Sequence, residues 1–315
     1  MILRFIHIVL AILLVYIFIL FGRDYLKHKK ENDGSIPKAA GIGFITNFLD
    51  ALGIGSYAPT TMLLKLTKYM KSDKYIPGTL TVSCSIPVIV EAFLFTNTIK
   101  VEGTTLISLV VAAALGSFIG SKVMSKFNEK IVRIVMGVAL VLTAILMLLS
   151  QLGILSALGA GNTAIGLHGL NLVIAIVGNF ILGSLMTAGV GLYAPCMAMV
   201  YMLGMSPDVA FPIMMTSCAV LMPVAAYEFI KAGNYNRHAS LGITIGGVIG
   251  VAIAVLFVKS LDLNVLTWLI IVVVTFTGIQ MLYQGIKEKS QTVEEVEKES
   301  EKDSDKDSQA SSETK

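Results

Sequence analysis

Nine apolar runs alternate with polar stretches along the chain, near 3–21, 41–63, 76–97, 104–123, 131–150, 170–203, 208–230, 239–259 and 264–285. Segments such as 104–121 and 134–149 carry no charge at all. Uninterrupted apolar runs of that length read as membrane helices, and the pattern predicts an all-α polytopic membrane protein. Two of the runs are broken. Gly53-Ile54-Gly55-Ser56-Tyr57-Ala58-Pro59 interrupts the second, and Gly189-Val190-Gly191-Leu192-Tyr193-Ala194-Pro195 interrupts the sixth, 136 residues later. In lipid every freed backbone N–H or C=O must find a partner, so such breaks survive only where protein or a water-filled cavity surrounds them.

The correspondence extends beyond the two breaks. Thr81-Val82-Ser83-Cys84 matches Met215-Thr216-Ser217-Cys218, Gly116-Ser117-Phe118-Ile119-Gly120 matches Gly246-Gly247-Val248-Ile249-Gly250, and 143–148 matches 277–282. The chain is therefore read as an N-terminal transmembrane helix (1–22), a cytoplasmic loop (23–38), a first repeat (39–151), an external linker (152–169), a second repeat (170–286) and a charged cytoplasmic tail (287–315). Each repeat is expected to hold one re-entrant broken helix and three crossings. Three is odd, so the second copy is expected upside down relative to the first.

Charge supports the re-entrant reading. If both broken segments return to the face they leave, 15 loop Lys/Arg share one side and only Arg4, Lys100 and Lys259 lie opposite. That asymmetry is what cytoplasmic loops carry. Letting both segments cross would move the clusters at 65–74 and 122–133 to the outside. One cation before the first span and five after it place the amino terminus outside, and the missing Ala-x-Ala-like site makes that span uncleaved.

Composition narrows the function classes. Hydrophobic residues make up 55% and charged residues 14% of 315, an integral membrane composition. Ten of the 21 acidic residues lie beyond Ile286, in a tail expected to be disordered, so the net charge of +3 says little about partners. Nothing in the pattern points to nucleic acid, and no nucleotide-binding signature is present. Cys84, Cys196 and Cys218 have no paired spacing, and the four histidines are scattered, so neither a disulfide framework nor a metal site is indicated. Eight methionines between Met186 and Met222 read mainly as packing. No cofactor is expected, and no nucleophile-and-base pair suggests an enzyme.

Paired breaks in corresponding positions of two halves point to a transporter's substrate site. The returning half-helices would aim free N–H groups and their positive dipole ends at the midplane, which favours a small anion. Pro59 and Pro195 suit the first turn, where a missing N–H costs little. Candidate substrate-binding residues are Gly53, Gly55, Ser56, Tyr57, Pro59 and Thr60 from the first break, and Gly189, Gly191, Tyr193 and Pro195 from the second. The hydroxyls of Ser83, Thr216 and Ser217 are secondary candidates. Asp50, Glu91 and Glu228 are candidate proton-coupling carboxylates. Asp50 reads equally as a structural cap bonded to Asn47 or backbone, whereas Glu91 and Glu228 read more readily as groups reaching water near helix ends.

These motifs, together with the Lys231-Ala232-Gly233-Asn234-Tyr235 turn and the Gly-x-x-x-Gly third spans, resemble the sulfite exporter TauE/SafE family of membrane permeases over roughly residues 38–286. Ser56-Tyr57 and Leu192-Tyr193 stand where that family usually has further glycines. The resemblance implies a secondary transporter in the cell membrane that moves sulfite or a related sulfur-containing anion, inorganic or organic, with proton coupling as one option. An anion channel or uniporter of the same architecture and a soft-metal permease are the alternatives. Besides the anion and the lipid bilayer, a homo-oligomer is compatible with the sequence but not required by it.

Overall fold

The computed structural model describes residues 2–29, 34–52, 54–95, 101–158, 160–257, 268, 271–272 and 274–287. Among these it is all-helical: α1 (Ile2–Lys27), α2 (Ile36–Ala51), α3 (Tyr57–Leu66), a 3₁₀ turn (Asp73–Tyr75), α4 (Ile76–Phe95), α5 (Gly103–Met124), α6 (Glu129–Gln151), α7 (Ile154–Leu158), α8 (Gly169–Met186), α9 (Tyr193–Met202), α10 (Pro207–Ala232) and α11 (Arg237–Phe257). Residues 274–287 are also helical. Among the described residues, seven helices are long and apolar enough to cross a membrane. Gly53, Lys100, Lys259 and the tail from 288 onward lie outside the described residues, and so does the side chain of Tyr193.

Both broken runs are helix–turn–helix units, α2–α3 and α8–α9. Their returning halves are ten residues each, about 15 Å at 1.5 Å per residue. The entering halves are longer, 16 and 18 residues, or about 24 and 27 Å. The first is longer than the apolar run implies because Pro37 opens α2 five residues before Ile42, within a polar stretch.

Polar contacts sort the helix ends into two faces. On one, Lys38 Nζ at the start of α2 donates to Thr67 O just past α3 (3.0 Å), and Tyr69 Oη donates to Ser35 O (3.0 Å). The α2–α3 unit thus begins and ends together. On the same face Asp73 accepts from Lys65 Nζ (2.7 Å) and Arg133 Nε (2.8 Å), and Asn234 donates to Ser125 O. Asp24 near the end of α1 accepts from Arg237 Nε (2.8 Å) and from the Tyr235 phenol. Burial, then the bond to Asp24, pushes that phenol above its ordinary range. Asp24 serves this pairing from within α1, which continues past the charge boundary at Arg23. All four Lys/Arg-rich stretches of the sequence thus meet on one face.

The 152–169 segment marks the other face. Glu102 N donates to Ile165 O (2.8 Å), Leu167 N to Thr105 Oγ1 (2.9 Å), Asn162 Nδ2 to Tyr201 O (2.8 Å) and Ser206 N to Ala164 O (2.8 Å). The start of α8 and the end of α9 therefore lie with the start of α5.

The halves are interlocked. Helix α11 runs along α2 and α4, while α5 runs along α8 and α10. Glycines let the backbones meet: Gly116 packs on the Phe180 carbonyl and Gly120 on that of Ser184, while Gly246 packs on the Ala40 carbonyl and Gly250 on that of Phe44. Prolines inside α4 and α10 are matched by hydroxyls from these same partners. Pro87 cannot bond the Ser83 carbonyl, and Thr244 Oγ1 of α11 donates to it instead (2.9 Å). Near Pro223, Ser117 Oγ of α5 donates to Leu221 O (3.1 Å). Leu, Ile, Val and Phe side chains exposed on α1, α5 and α8 form the apolar exterior that a bilayer would cover.

Candidate functional site

The two turns, 136 residues apart in sequence, converge on one cavity of about 230 Å³. Gly55, Ser56 and Tyr57 line it from the first turn, Gly191, Leu192 and Pro195 from the second. At roughly 30 Å³ per water this space holds on the order of seven waters, below the 300–1,000 Å³ of drug-sized pockets. It suits a small ion with part of its hydration shell.

Local geometry explains why the turns have these sequences. Gly55 (φ +90°) and Gly189 (φ +100°) adopt left-handed backbone that only glycine takes without strain. A Cβ at Gly55 or Gly191 would meet nothing within 4 Å, so both backbones border open space. In each returning helix the first N–H groups have no intrahelical acceptor, and Pro59 and Pro195 occupy third positions where an N–H would be idle. Tyr57 is buried, and its phenol donates to Thr81 Oγ1 of α4 (3.4 Å).

Two carboxyl groups face the cavity, and no Lys, Arg or His does so among its lining residues. Asp50 Oδ2 accepts from Ser56 Oγ (2.7 Å), and the Ser56 backbone N–H also donates to Asp50. Its bonding partner is thus across the turn rather than Asn47, whose Nδ2 donates to Gly43 O (2.9 Å). Glu91 is 1% exposed, and its Oε2 has no hydrogen-bond partner. A buried carboxyl oxygen without a donor has lost water and gained nothing in exchange, which in a cavity wall marks it as a group available to a ligand or a proton.

The remaining candidates lie elsewhere. Pro59 and Thr60 are buried in α3 behind the turn. Ser83 is buried and bonds back to Leu80 O (3.3 Å), Ser217 accepts from Asn179 Nδ2 (3.2 Å), and Thr216 is buried with Oγ1 unpartnered; none of these lines the cavity. Glu228 is half-buried, lies near Tyr16 of α1, and is absent from the lining.

Two walls went unread in the sequence. Helix α6 contributes Thr143, Met147, Ser150 and Gln151, and α10 contributes Met214, Met215, Cys218 and Met222. A signal existed in both: 143, 147 and 150–151 on α6, and 214, 218 and 222 on α10, fall at helical spacing on one face. No group of three His, Cys, Asp or Glu residues able to hold a metal exists among the described residues.

The family model described as Sulfite exporter TauE/SafE matches residues 2–147 and 170–310. The chain belongs to this family. The match covers both broken-helix units and omits the 148–169 region between them. No curated protein and no solved structure matches the chain. The TauE/SafE membership makes it a multi-pass membrane transporter of the sulfite-exporter family.

Proposed function

We propose that this TauE/SafE protein is a secondary transporter that carries sulfite or a related small sulfur-containing anion through the cavity between the Gly55 and Gly191 turns. The observation that carries the reading is the convergence of two matched turns, with their half-helix amino ends, on one ion-sized space. The reciprocal packing of α5 on α8 and α11 on α2 supports two inverted repeats. So does the placement of the α2–α3 ends on one face and the α8–α9 ends on the other. The Lys/Arg-rich face is assigned to the cytoplasm, together with the tail, and the amino terminus to the outside.

Electrostatics then favour proton coupling. An anion centred in the cavity sits about 4 Å from its walls, where an ionised carboxylate opposes a unit negative charge by about 4 kcal/mol at an effective dielectric of 20. Each half-helix end returns at most about 2 kcal/mol. Two ionised carboxylates therefore outweigh both helix ends, whereas one neutralised carboxyl brings the terms near balance. The anion binds with a proton on the Asp50/Glu91 pair, and the two travel together. Glu91, with its free Oε2, is the proposed carrier, while Asp50 is held by Ser56 and shapes the turn. Labelled-anion uptake into proteoliposomes with an imposed pH gradient tests this. Accumulation above equilibrium is expected, and flux that only equilibrates would indicate a channel or uniporter instead.

A further inference from the structure

Three sulfur-bearing side chains meet in the cavity wall. Cys218 Sγ lies 3.9 Å from Met186 Sδ and 3.9 Å from Met214 Sδ, and all three side chains line the cavity. The three come from different sequence contexts: Met186 ends α8, whereas Met214 and Cys218 stand one turn apart on α10. Three sulfurs each about 2.3 Å from a common centre in a trigonal plane stand about 4.0 Å apart, and the two separations from Cys218 match that spacing. Glu91, whose buried Oε2 has no hydrogen-bond partner, belongs to the same lining, which holds no Lys, Arg or His.

We infer that Cys218, Met186 and Met214 form a binding site for a soft monovalent metal ion, Cu(I) or Ag(I). One thiolate and two thioethers select such ions over hard cations, which take oxygen ligands. Charge also favours a monovalent ion. The thiol releases its proton as the metal–sulfur bond forms, so one positive charge replaces another and the buried site gains none; a divalent ion would add an uncompensated charge. The site shares the cavity with the proposed anion but does not rest on that reading.

The test uses the purified full-length protein in detergent, with Cu(I) supplied as its bicinchoninate complex under ascorbate and withdrawal of copper read from loss of the complex's colour. Wild type is expected to take one Cu(I) per chain, with X-ray absorption showing sulfur neighbours near 2.3 Å. Cys218→Ser should abolish uptake, and Met186→Leu and Met214→Leu, which preserve side-chain volume, should each weaken it roughly tenfold or more. Cys196→Ser should retain it. No withdrawal by wild type, or unchanged affinity in both Met→Leu variants, overturns the site, and these variants decide the matter even if Cys218→Ser does not fold. Copper binding without anion flux would leave the metal site standing and remove only the transport reading; anion flux without copper binding would do the reverse.

Discussion

Replacing Glu91 by Gln keeps the side chain's size and removes its ability to ionise. Glu91 is 1% exposed, lines the cavity, and has an Oε2 without a donor, so the substitution breaks no hydrogen bond made by that atom. Its effect is on charge. At about 4 Å and an effective dielectric of 20, an ionised Glu91 opposes a bound monoanion by about 4 kcal/mol, on the order of 10³ in affinity. Wild type must therefore protonate before it binds, and each coupled proton supports about tenfold accumulation per pH unit of gradient. The Gln variant resembles the protonated state permanently. In proteoliposomes with a one-unit inward gradient, wild type should concentrate labelled anion about tenfold, and Glu91→Gln should bring it only to equilibrium. Anion binding by the variant should also depend less steeply on pH than binding by wild type. Gradient-driven accumulation that persists in Glu91→Gln would refute the assignment of the proton to Glu91, and persistence in Asp50→Asn as well would remove the coupling argument entirely.

Further outcomes follow from the geometry. Gly191→Ala adds a methyl to open space without a left-handed φ, so it should fold normally and weaken anion binding, while Gly55→Ala should also lose about 1–2 kcal/mol of stability from its φ of +90°; thermal melts and uptake on both variants separate the two effects. A side chain at Gly246 would collide with the Ala40 carbonyl, and Gly246→Val should lower stability by about 1–3 kcal/mol or more, whereas Gly41→Ala, with nothing within 4 Å, should be neutral. Asp73→Ala removes the acceptor that Lys65 and Arg133 share while Arg133 keeps its pairing with Glu129, and denaturation should show a loss of about 1.5–3 kcal/mol. The raised Tyr235 phenol stabilises the fold fully below the unfolded tyrosine value near 10, and this is lost as pH rises through the folded value; Tyr235→Phe should reduce by one the number of late-ionising tyrosines seen in an absorbance titration.

The broken helices could be read from the sequence because glycine and proline in an apolar run admit few explanations, and the matched spacing tied Gly55 to Gly191. The same pattern supplied both turns of the cavity and its two carboxyls. What it could not supply was distance. Asp50 finds Ser56 six residues away because the chain reverses between them, a partner that helical periodicity does not suggest. The Gly-x-x-x-Gly spans announced close packing, yet only the folded chain pairs Gly116 with Phe180 of the other half rather than with a neighbour in its own. Met186, Met214 and Cys218 looked like packing because methionine fills gaps almost anywhere, and their meeting depends on how α8 crosses α10. Thr143 and Gln151 were hidden in a long apolar helix whose inner face the sequence alone does not reveal.

The central claim is that a sulfur-containing anion passes between the two turns. Its most direct test is uptake of labelled sulfite and thiosulfate by proteoliposomes holding wild type, Gly191→Val or Gly41→Ala, with a pH gradient imposed. The account predicts accumulation of at least one anion by wild type and Gly41→Ala and none by a folded Gly191→Val. Full accumulation by Gly191→Val, or no flux of either anion through wild type, would contradict it.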